Sequence, residues 1–473
     1  MVKTNGVRFS CLIISSLGLA APLVAQSFQV QCPASTALHP AGSTGPGAIK
    51  CQQVSGGDGF ATMADGNQIF LFGFGPLSGL ADIQSGLPGT EVASVFNNTL
   101  DPVTNPNPAT NMNLALTSVA DIMNTGVLNA ESPAPTMAID EDDEFFLTLT
   151  NVGMIMRPDL FEQHTIHFHG YPNASAFFDG VPDASIAINI GGSFTYYYTA
   201  PDAGTYFWHC HISPPEHLQM GMVGQLYVRP RQNRVNGDLY SSLVSSNKAK
   251  GSLDGLKCSD ILCTNETPAP AVNTGAAGTG STKFAYNDGD GSTQYDVEYP
   301  IQIMGFDPNF HFVGATFNPE GFADMKDKYF LLSGRSYPDT VNPSYISTEA
   351  SDGKARPSQP VRSLITIDRT QKQYRALLRI SDLSVTDFTT LATIGIPMTV
   401  IGQDARLLRD SLGNNMAYKT NSITIGGGES TDVILDTTGL PAGTYFLYST
   451  NLDHLSNDAE NFGGQMTEIQ VIG

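Results

Sequence analysis

Positive charge is scarce in this sequence. Lysine and arginine together number 24 against 45 aspartates and glutamates, which gives a formal net charge of −21. A chain this acidic repels nucleic acid and anionic membrane surfaces, so neither is predicted as a partner. The same charge favours cationic partners such as metal ions or basic redox proteins.

Long apolar runs are also few. One of them, from Phe9 to Ala21, follows Lys3 and Arg8 and lies just before Leu23-Val24-Ala25. Since this order is typical of a cleavable secretory signal, we predict that residues 1–25 are a signal peptide. The protein is then exported, to a periplasm or the extracellular space. No later segment is long and apolar enough to cross a bilayer, so no membrane partner is predicted.

Cysteine is equally sparse, and removal of the signal peptide leaves an odd number. Four of the remaining five lie in pairs that we predict to be disulfides suited to an oxidising compartment: Cys32 with Cys51, and Cys258 with Cys263. Cys210 has no partner and stands between His209 and His211. This setting indicates metal ligation, which would protect the thiolate from oxidation.

Helical periodicity is weak, whereas short β-type runs bounded by glycine, proline, asparagine and aspartate recur along the chain. They fall into two sets: Ile69–Gly73, Phe145–Thr150, Phe194–Thr199, Thr205–Trp208 and Gln225–Val228, then Tyr299–Met304, Tyr329–Leu332, Arg375–Ile380, Met398–Gly402, Asp432–Asp436 and Thr444–Ser449. The fold class predicted is all-β.

A weak internal repeat indicates a duplicated β-sandwich. Ala203-Gly-Thr-Tyr-Phe-Trp in the first set recurs as Ala442-Gly-Thr-Tyr-Phe-Leu in the second. The polar, low-complexity stretch 231–296, which contains Cys258 and Cys263, reads as a linker or surface excursion. We therefore predict an N-terminal domain at 26–230 and a C-terminal domain at 297–473.

Potential metal ligands are concentrated in the first domain. Six of the nine histidines and the unpaired cysteine lie within 59 residues, with two methionines close behind: His164, His167, His169, His209, Cys210, His211 and His217, then Met220 and Met222. A buried histidine is usually a hydrogen-bonded core residue, but core packing does not explain such a density.

Strand geometry predicts two separate metal sites. Side chains in a strand alternate between faces, so His209 and His211 point away from Cys210, and His167 shares a face with His169. His164 falls on the other side of a regular strand from these two histidines. A bulge would undo this division.

The face with Cys210 predicts a blue-copper site. Two histidines, one thiolate and a weak axial methionine define such an electron-transfer centre. His164, Cys210 and His217 supply the strong ligands, and Met222 is preferred to Met220 as the axial ligand. Core packing is the alternative role for both methionines.

The other face carries His167, His169, His209 and His211 without a thiolate. Imidazole ligands suit copper, zinc or iron. Copper is favoured because His209 and His211 flank Cys210, which gives an electron a short covalent route between the two sites.

These motifs resemble those of the multicopper oxidases. The resemblance rests on His164-Thr-Ile-His-Phe-His-Gly170, Asp179-Gly-Val-Pro182 and Gly204-Thr-Tyr-Phe-Trp-His-Cys-His211 with His217 and Met222. More faintly, Phe388, the segment Pro397–Gly402 and Gly426–Ser430 are similar to the copper-free domain of such oxidases. The resemblance implies two cupredoxin-like Greek-key β-sandwich domains, a type 1 copper at the cysteine site and a catalytic copper centre at the four histidines.

The histidine count departs from that family. Its trinuclear cluster uses eight histidines, and the His-x-His motifs that would supply the other four are missing. The resemblance therefore implies type 1 copper plus a type 2 copper or a reduced cluster.

A second resemblance, to copper nitrite reductase, fits a smaller copper inventory. It implies a homotrimer with one type 2 copper between subunits, for which His454 is the candidate ligand from a neighbour. Two departures count against nitrite reduction: His167 stands where that family has its catalytic aspartate, and Met398 where it has a histidine. His39 and His311 match no motif.

Three functions remain open from the sequence. The first is a multicopper-oxidase-like oxidoreductase that takes electrons from a small molecule, a metal ion or a redox protein and reduces oxygen. The second is a nitrite-reductase-like enzyme. The third is a blue-copper electron carrier or copper-binding protein without turnover.

Overall fold

The computed structural model describes residues 30–43, 47–100, 119–171, 174–200, 202–234, 283–314, 321–410 and 413–473. The predicted signal peptide and the Cys258–Cys263 pair lie outside these residues. In the described part, no helix is both long and apolar enough to span a membrane.

The described residues of the first half form nine strands and four short α-helices. The strands are β1 (Ile49–Thr62), β2 (Gln68–Pro76), β3 (Glu91–Val92), β4 (Met137–Asp140), β5 (Glu144–Gly153), β6 (His167–His169), β7 (Ser193–Thr199), β8 (Gly204–His209) and β9 (Val223–Arg229). The helices are α1 (Leu80–Gln84), α2 (Ala93–Phe96), α3 (Val119–Gly126) and α4 (Pro214–Gln219).

These strands form two sheets. One has the order β2-β1-β5-β7, with β3 paired to β1, and the other has the order β4-β9-β8-β6. Their inner faces share one apolar core that includes Trp208, Cys210 and Met222, all fully buried. The cysteine thus sits inside the sandwich, at the end of β8.

The second half contains sixteen described strands and one helix. The strands are β10 (Lys283–Phe284), β11 (Gln294–Tyr295), β12 (Val297–Phe306), β13 (Tyr329–Leu332), β14 (Ile346–Glu349), β15 (Ala355–Gln359), β16 (Ile365–Asp368), β17 (Arg375–Asp382), β18 (Thr389–Ile394), β19 (Met398–Gln403), β20 (Arg406–Leu407), β21 (Tyr418–Thr420), β22 (Ser422–Ile425), β23 (Ser430–Asp436), β24 (Gly443–Ser449) and β25 (Met466–Ile472). The helix is α5 (Pro308–Gly314).

A second sandwich results. One sheet runs β13-β12-β17-β23-β19-β20 with β21 paired to β19, and the other runs β16-β25-β24-β18-β22. The strands expected from the sequence all fall within strands of these two sandwiches. The all-β, cupredoxin-like prediction is confirmed.

The two sandwiches share a polar and apolar interface. Thr205 of β8 donates a hydrogen bond to Asp432 (2.6 Å), and Gln225 of β9 donates one to Ser381 (3.0 Å). A small apolar cluster joins Phe207 to Phe306 and other residues of the second sandwich. The second domain is therefore held directly behind strand β8.

The N-terminal segment and the end of the 231–296 stretch are both attached to the sandwiches. The predicted Cys32–Cys51 disulfide is present and ties the N-terminal segment to β1. The end of the stretch assigned to a linker forms the β10–β11 hairpin, in which Tyr286 and Tyr295 are buried. Tyr286 donates a hydrogen bond to Asp432 and so joins a buried polar cluster of the second sandwich. The hairpin therefore packs onto that sandwich.

Candidate metal centres

The first group of ligands consists of His164, Cys210 and His217. Their ligand atoms lie within 4.8 Å of one another, and all three residues are fully buried. The backbone of His164 is fixed by a two-way hydrogen-bonded bridge to Ile188. Cys210 follows β8 and His217 lies in α4, so three different segments meet at this point.

The charges in this group suit a bound cation. Burial alone would raise the pKa of the Cys210 thiol, but the charge of His217, its hydrogen bond to the sulfur and the charge interaction with His164 outweigh burial and hold that pKa well below its usual range. The Nδ1 atom of His217 lies 3.2 Å from Sγ. Neither ring nitrogen of His164 has a protein hydrogen-bond partner, although the ring is buried. Buried polar atoms are ordinarily paired, so this donor set fits a metal ion.

Both methionines belong to the same core as Cys210. Met222 is linked to two ligands through its backbone: the Cys210 N–H donates to its carbonyl (3.2 Å), and its own N–H donates to the carbonyl of His217 (2.8 Å). Met220 ends α4, where its N–H bonds Glu216 (2.9 Å). This backbone coupling supports Met222 as the axial ligand.

Two further residues, which sequence reasoning missed, support the first group. The Thr165 N–H points at the sulfur of Cys210 (3.5 Å), while its hydroxyl accepts a hydrogen bond from the backbone of His211 (2.9 Å). The carboxylate of Glu162 lies 3.7 Å from Nε2 of His217. In the sequence, only the position of these two residues next to His164 could have indicated this supporting role.

The second group consists of His167, His169 and His209, whose ligand atoms also lie within 4.8 Å of one another. Antiparallel pairing of β6 with β8 sets His167 opposite His209 and His169 opposite Phe207. The three imidazoles therefore come together because two short strands are in register.

Hydrogen bonds orient two of these rings. The Nδ1 atom of His167 donates to the carbonyl of Asp179 (2.7 Å), and that of His209 donates to the carbonyl of Cys210 (2.8 Å). Such bonds fix the tautomer and leave Nε2 of both rings for a metal. Burial lowers the pKa of His209 to about 3 and also lowers the pKa of His167 and His169. Neutral imidazoles of this kind are ready ligands.

His211 lies at the edge of the second group. Its ring centroid is 5.1 Å from that of His167 and 5.8 Å from that of His209. It is half-buried, whereas His169 is exposed. The face predicted to carry four histidines thus holds a close group of three with the fourth beside it.

The other candidate residues lie elsewhere. His454 is buried, stacked on Phe330 at 4.2 Å between ring centroids, with Nε2 3.9 Å from a carboxylate oxygen of Asp387. Met398 is buried in the second core. The structure brings neither residue to the histidine face of its own chain.

The two histidines that matched no motif are bonded within the protein. His39 lies 2.7 Å from the carboxylate of Glu144, and His311 bonds the carbonyls of Phe70 and Gln219 through its two ring nitrogens. One chain therefore offers four histidines to the second centre, since all nine lie within the described residues.

Two histidines, a thiolate and a methionine from neighbouring segments of a cupredoxin-like sandwich are the donor set of a blue-copper protein. Comparison with known families agrees: residues 115–233 match the multicopper oxidase family. This segment, which contains both ligand groups, is therefore similar to a multicopper oxidase domain.

Known proteins of similar sequence match about a quarter of the chain. Laccase abr2 of Aspergillus fumigatus is 33% identical over 124 residues, which is 26% of this chain and 19% of that protein. The L-ascorbate oxidase of Cucumis sativus is 34% identical over 113 residues, 23% of this chain and 17% of that protein. The chain matches less than a fifth of the length of each.

Solved structures extend the likeness to both sandwiches. The blue copper oxidase from Nitrosomonas europaea is similar with a TM-score of 0.52 at 19% identity. The match includes 89% of this chain and 85% of the oxidase chain. The multicopper oxidase mgLAC is similar with a TM-score of 0.52 at 16% identity. The match includes 89% of this chain and 86% of the mgLAC chain. At these identities the likeness establishes the fold.

Proposed function

We propose that this protein is an exported, copper-dependent oxidoreductase of the multicopper oxidase kind, which takes electrons at a type 1 copper and reduces oxygen at a histidine-bound copper. The observation that carries the proposal is that both ligand groups include a residue at the end of β8. Cys210 belongs to the first group, and its chain neighbour His209 belongs to the second.

Each residue has a defined part in this proposal. His164, Cys210, His217 and Met222 would hold the type 1 copper, and His167, His169 and His209, with His211 beside them, would hold the second. Copper supplies one-electron redox chemistry and a binding position for oxygen. The peptide bond between His209 and Cys210, together with the hydrogen bond from His209 Nδ1 to the Cys210 carbonyl, gives an electron two short paths between the groups.

The family's eight-histidine trinuclear cluster does not fit this chain. His39, His311 and His454 are each packed or bonded away from the face, which leaves four histidines. We therefore propose a smaller second centre, a type 2 copper or a reduced cluster.

Electrons would enter beside His217, whose Nε2 lies 3.7 Å from the partly exposed carboxylate of Glu162. Glu162 covers Nε2 of His217, and the adjacent Phe161 is 83% exposed. An apolar side chain next to a carboxylate suits a small organic donor, a metal ion or a basic redox protein.

The exposure of the histidine face supports a further proposal. The protein would be a homotrimer in which a neighbouring subunit packs over this face. His169 is exposed and His167 and His211 are half-buried, so the face is open within one chain. Sedimentation of the mature protein tests this, and a monomer at micromolar concentration would exclude it.

Copper stoichiometry combined with electron paramagnetic resonance tests the function. We expect a type 1 signal, a second copper signal of type 2 character, and oxygen uptake with a phenolic or ferrous donor. One copper per chain with no oxygen uptake would instead establish an electron carrier. Formation of nitric oxide from nitrite without oxygen would instead establish a nitrite-reductase-like enzyme.

A further inference from the structure

A buried glutamine links the copper-binding part of the first domain to the second domain. Gln219 is the last residue of α4, lies between His217 and Met222 in the chain, and has a fully buried side chain. Its Nε2 donates a hydrogen bond to a carboxylate oxygen of Asp327 (2.8 Å), and its Oε1 accepts one from the N–H of Asp307 (3.0 Å). Buried polar side chains are ordinarily paired, and here both partners belong to the other domain.

The main chain of Gln219 is held as well. Its carbonyl lies 2.8 Å from Nε2 of His311 in α5, and Nδ1 of the same ring bonds the carbonyl of Phe70 in β2. His311 is buried and packs on Phe306, with 4.5 Å between ring centroids. The second domain therefore contacts Gln219 through both its side chain and its carbonyl.

The two acidic partners of Gln219 are themselves fixed. The other carboxylate oxygen of Asp327 accepts a hydrogen bond from the hydroxyl of Thr386 (2.7 Å). The carboxylate of Asp307 accepts from the backbone N–H groups of Lys326 (2.7 Å) and Asn309 (2.8 Å). Because these bonds all lie within the second domain, Gln219 is attached to a well-defined part of that domain.

The turn that contains Gln219 joins three ligands of the first group. The N–H of Met222 donates to the carbonyl of His217 (2.8 Å), which closes the turn around Gln219. The N–H of Cys210 donates to the carbonyl of Met222 (3.2 Å). A displacement of Gln219 would therefore move His217 and Met222 together relative to the thiolate.

We propose that Gln219 is a positioning residue: through it the second domain holds the turn from His217 to Met222 and keeps both ligands in the arrangement of the type 1 centre. The inference rests on the type 1 copper of the proposed function and goes beyond that function, because it gives the second domain a part in setting the reduction potential. Cu(II) favours tetragonal geometry, so a turn released from this hold would relax toward the arrangement that suits Cu(II). The reduction potential would then fall.

Redox titration of the blue band in the copper-loaded protein tests this by comparing two glutamines. Gln219→Leu removes both side-chain hydrogen bonds. The matched control is Gln225→Leu, because Gln225 is also buried and its amide also bonds the second domain, at the carbonyl of Arg379 (2.9 Å) and the hydroxyl of Ser381 (3.0 Å). Gln225 lies in β9, outside the turn. Both variants should lose stability in denaturant unfolding, whereas only Gln219→Leu should change the copper.

We expect Gln219→Leu to shift the relative affinity toward Cu(II) by at least about threefold, which is a fall in potential of about 28 mV at 59 mV per tenfold change. Gln225→Leu should keep the wild-type potential. An unchanged potential in Gln219→Leu would overturn the proposal. An equal fall in both variants would overturn it too, since the cause would then be a weakened interface.

Asp327 supplies a second test that does not depend on the folding of Gln219→Leu. Asp327→Asn keeps an oxygen that can accept the hydrogen bond from Gln219, whereas Asp327→Ala does not, and both variants remove the same charge. We expect a lower potential in Asp327→Ala than in Asp327→Asn. Equal potentials in these two variants would overturn the proposal.

The wild-type protein separates this inference from the proposed function. A blue wild-type protein that takes up no oxygen would refute the oxidase function, and the potentials of the variants would still decide the role of Gln219. A protein that stays colourless after copper loading would refute the type 1 assignment and this inference with it.

Discussion

Strands β8 and β24 are equivalent strands of the two sandwiches. They are alike where they begin and differ where they end. Each begins with a glycine at large positive φ, +147° at Gly204 and +155° at Gly443. In each, the tyrosine two residues later donates its hydroxyl to the carbonyl four residues before it, Tyr206 to Asp202 and Tyr445 to Pro441, both at 2.9 Å.

The ends of the two strands diverge completely. After the buried Trp208, β8 leads into His209-Cys210-His211, whereas after the buried Leu447, β24 leads into Tyr448-Ser449-Thr450. The neighbouring strand differs in the same way, since β6 carries His167 and His169 but β18 carries no histidine. The comparison teaches that glycine, tyrosine and the apolar core specify the sandwich, while metal binding depends on a few residues at one end.

The largest effect should follow from removing the thiolate. We expect Cys210→Ser to abolish the intense blue absorption, because that band requires a copper–thiolate bond. The matched variant Ser449→Cys, at the equivalent position of β24, should gain no blue band because neither β24 nor its neighbour β18 carries a histidine. A blue Cys210→Ser protein, measured by visible spectroscopy, would refute the type 1 assignment.

Loss of one histidine should affect the second copper centre and spare the first. We expect His209→Ala to weaken copper binding at the second centre by at least about 100-fold while the blue absorption persists, since ligand loss should cost no less than loss of a supporting contact. Copper content after dialysis measures this. His454→Ala is the comparison from the second domain, and it should leave both coppers bound. Loss of the second copper in His454→Ala would show instead that a neighbouring subunit supplies this ligand.

A buried carboxyl of the second domain should make stability depend on pH. Burial raises the pKa of Asp382 from 3.8 to about 7. The folded state then holds a proton that the unfolded state has released, so the free energy of unfolding falls as pH rises from about 4 to 7. We expect Asp382→Asn to remove at most about 4 kcal/mol of this dependence. Denaturant unfolding at pH 5 and pH 8 measures it, and an identical pH dependence in the variant would contradict the shift.

The smallest effect concerns the axial ligand. We expect Met222→Leu to retain copper and to raise its reduction potential, because the weak axial ligand tunes the potential more than the affinity. The expected rise is of the order of 59 mV, which corresponds to a tenfold change in the relative affinity for the two oxidation states. Redox titration of the blue band measures it. A rise in Met220→Leu, with none in Met222→Leu, would transfer the axial role to Met220.

The sequence predicted the strands that alternate and the ligands that cluster. Alternation works where one face of a strand is more buried than the other, as toward the end of β7. His164, Cys210 and His217 were identifiable because the residue types themselves are chemically specific. Strand β1 was missed because Gly56, Gly57 and Gly59 and several polar residues interrupt the apolar pattern, although nearly the whole strand is buried.

Other parts of the site leave no pattern in a single sequence. The backbone of Gly428 approaches His169, 259 residues away in the chain, so closely that an added side-chain carbon would lie 3.7 Å from Nε2. The same holds for Thr165, whose contribution comes from one backbone N–H and one hydroxyl. Such contacts are consequences of tertiary packing, which local residue preferences do not encode.

The polar interface between the sandwiches explains why a half without copper ligands persists. Thr205, Gln225 and Arg229 of the first sandwich bond Asp432, Ser381 and Glu298 of the second, and Glu298 and Asp432 also flank the fully buried Arg379. Separation would break these hydrogen bonds, each worth about 0.5–1.5 kcal/mol, and would expose the apolar cluster around Phe207 and Phe306 to water. The second half thus stabilises the first through this interface, and that contribution does not depend on copper ligands of its own.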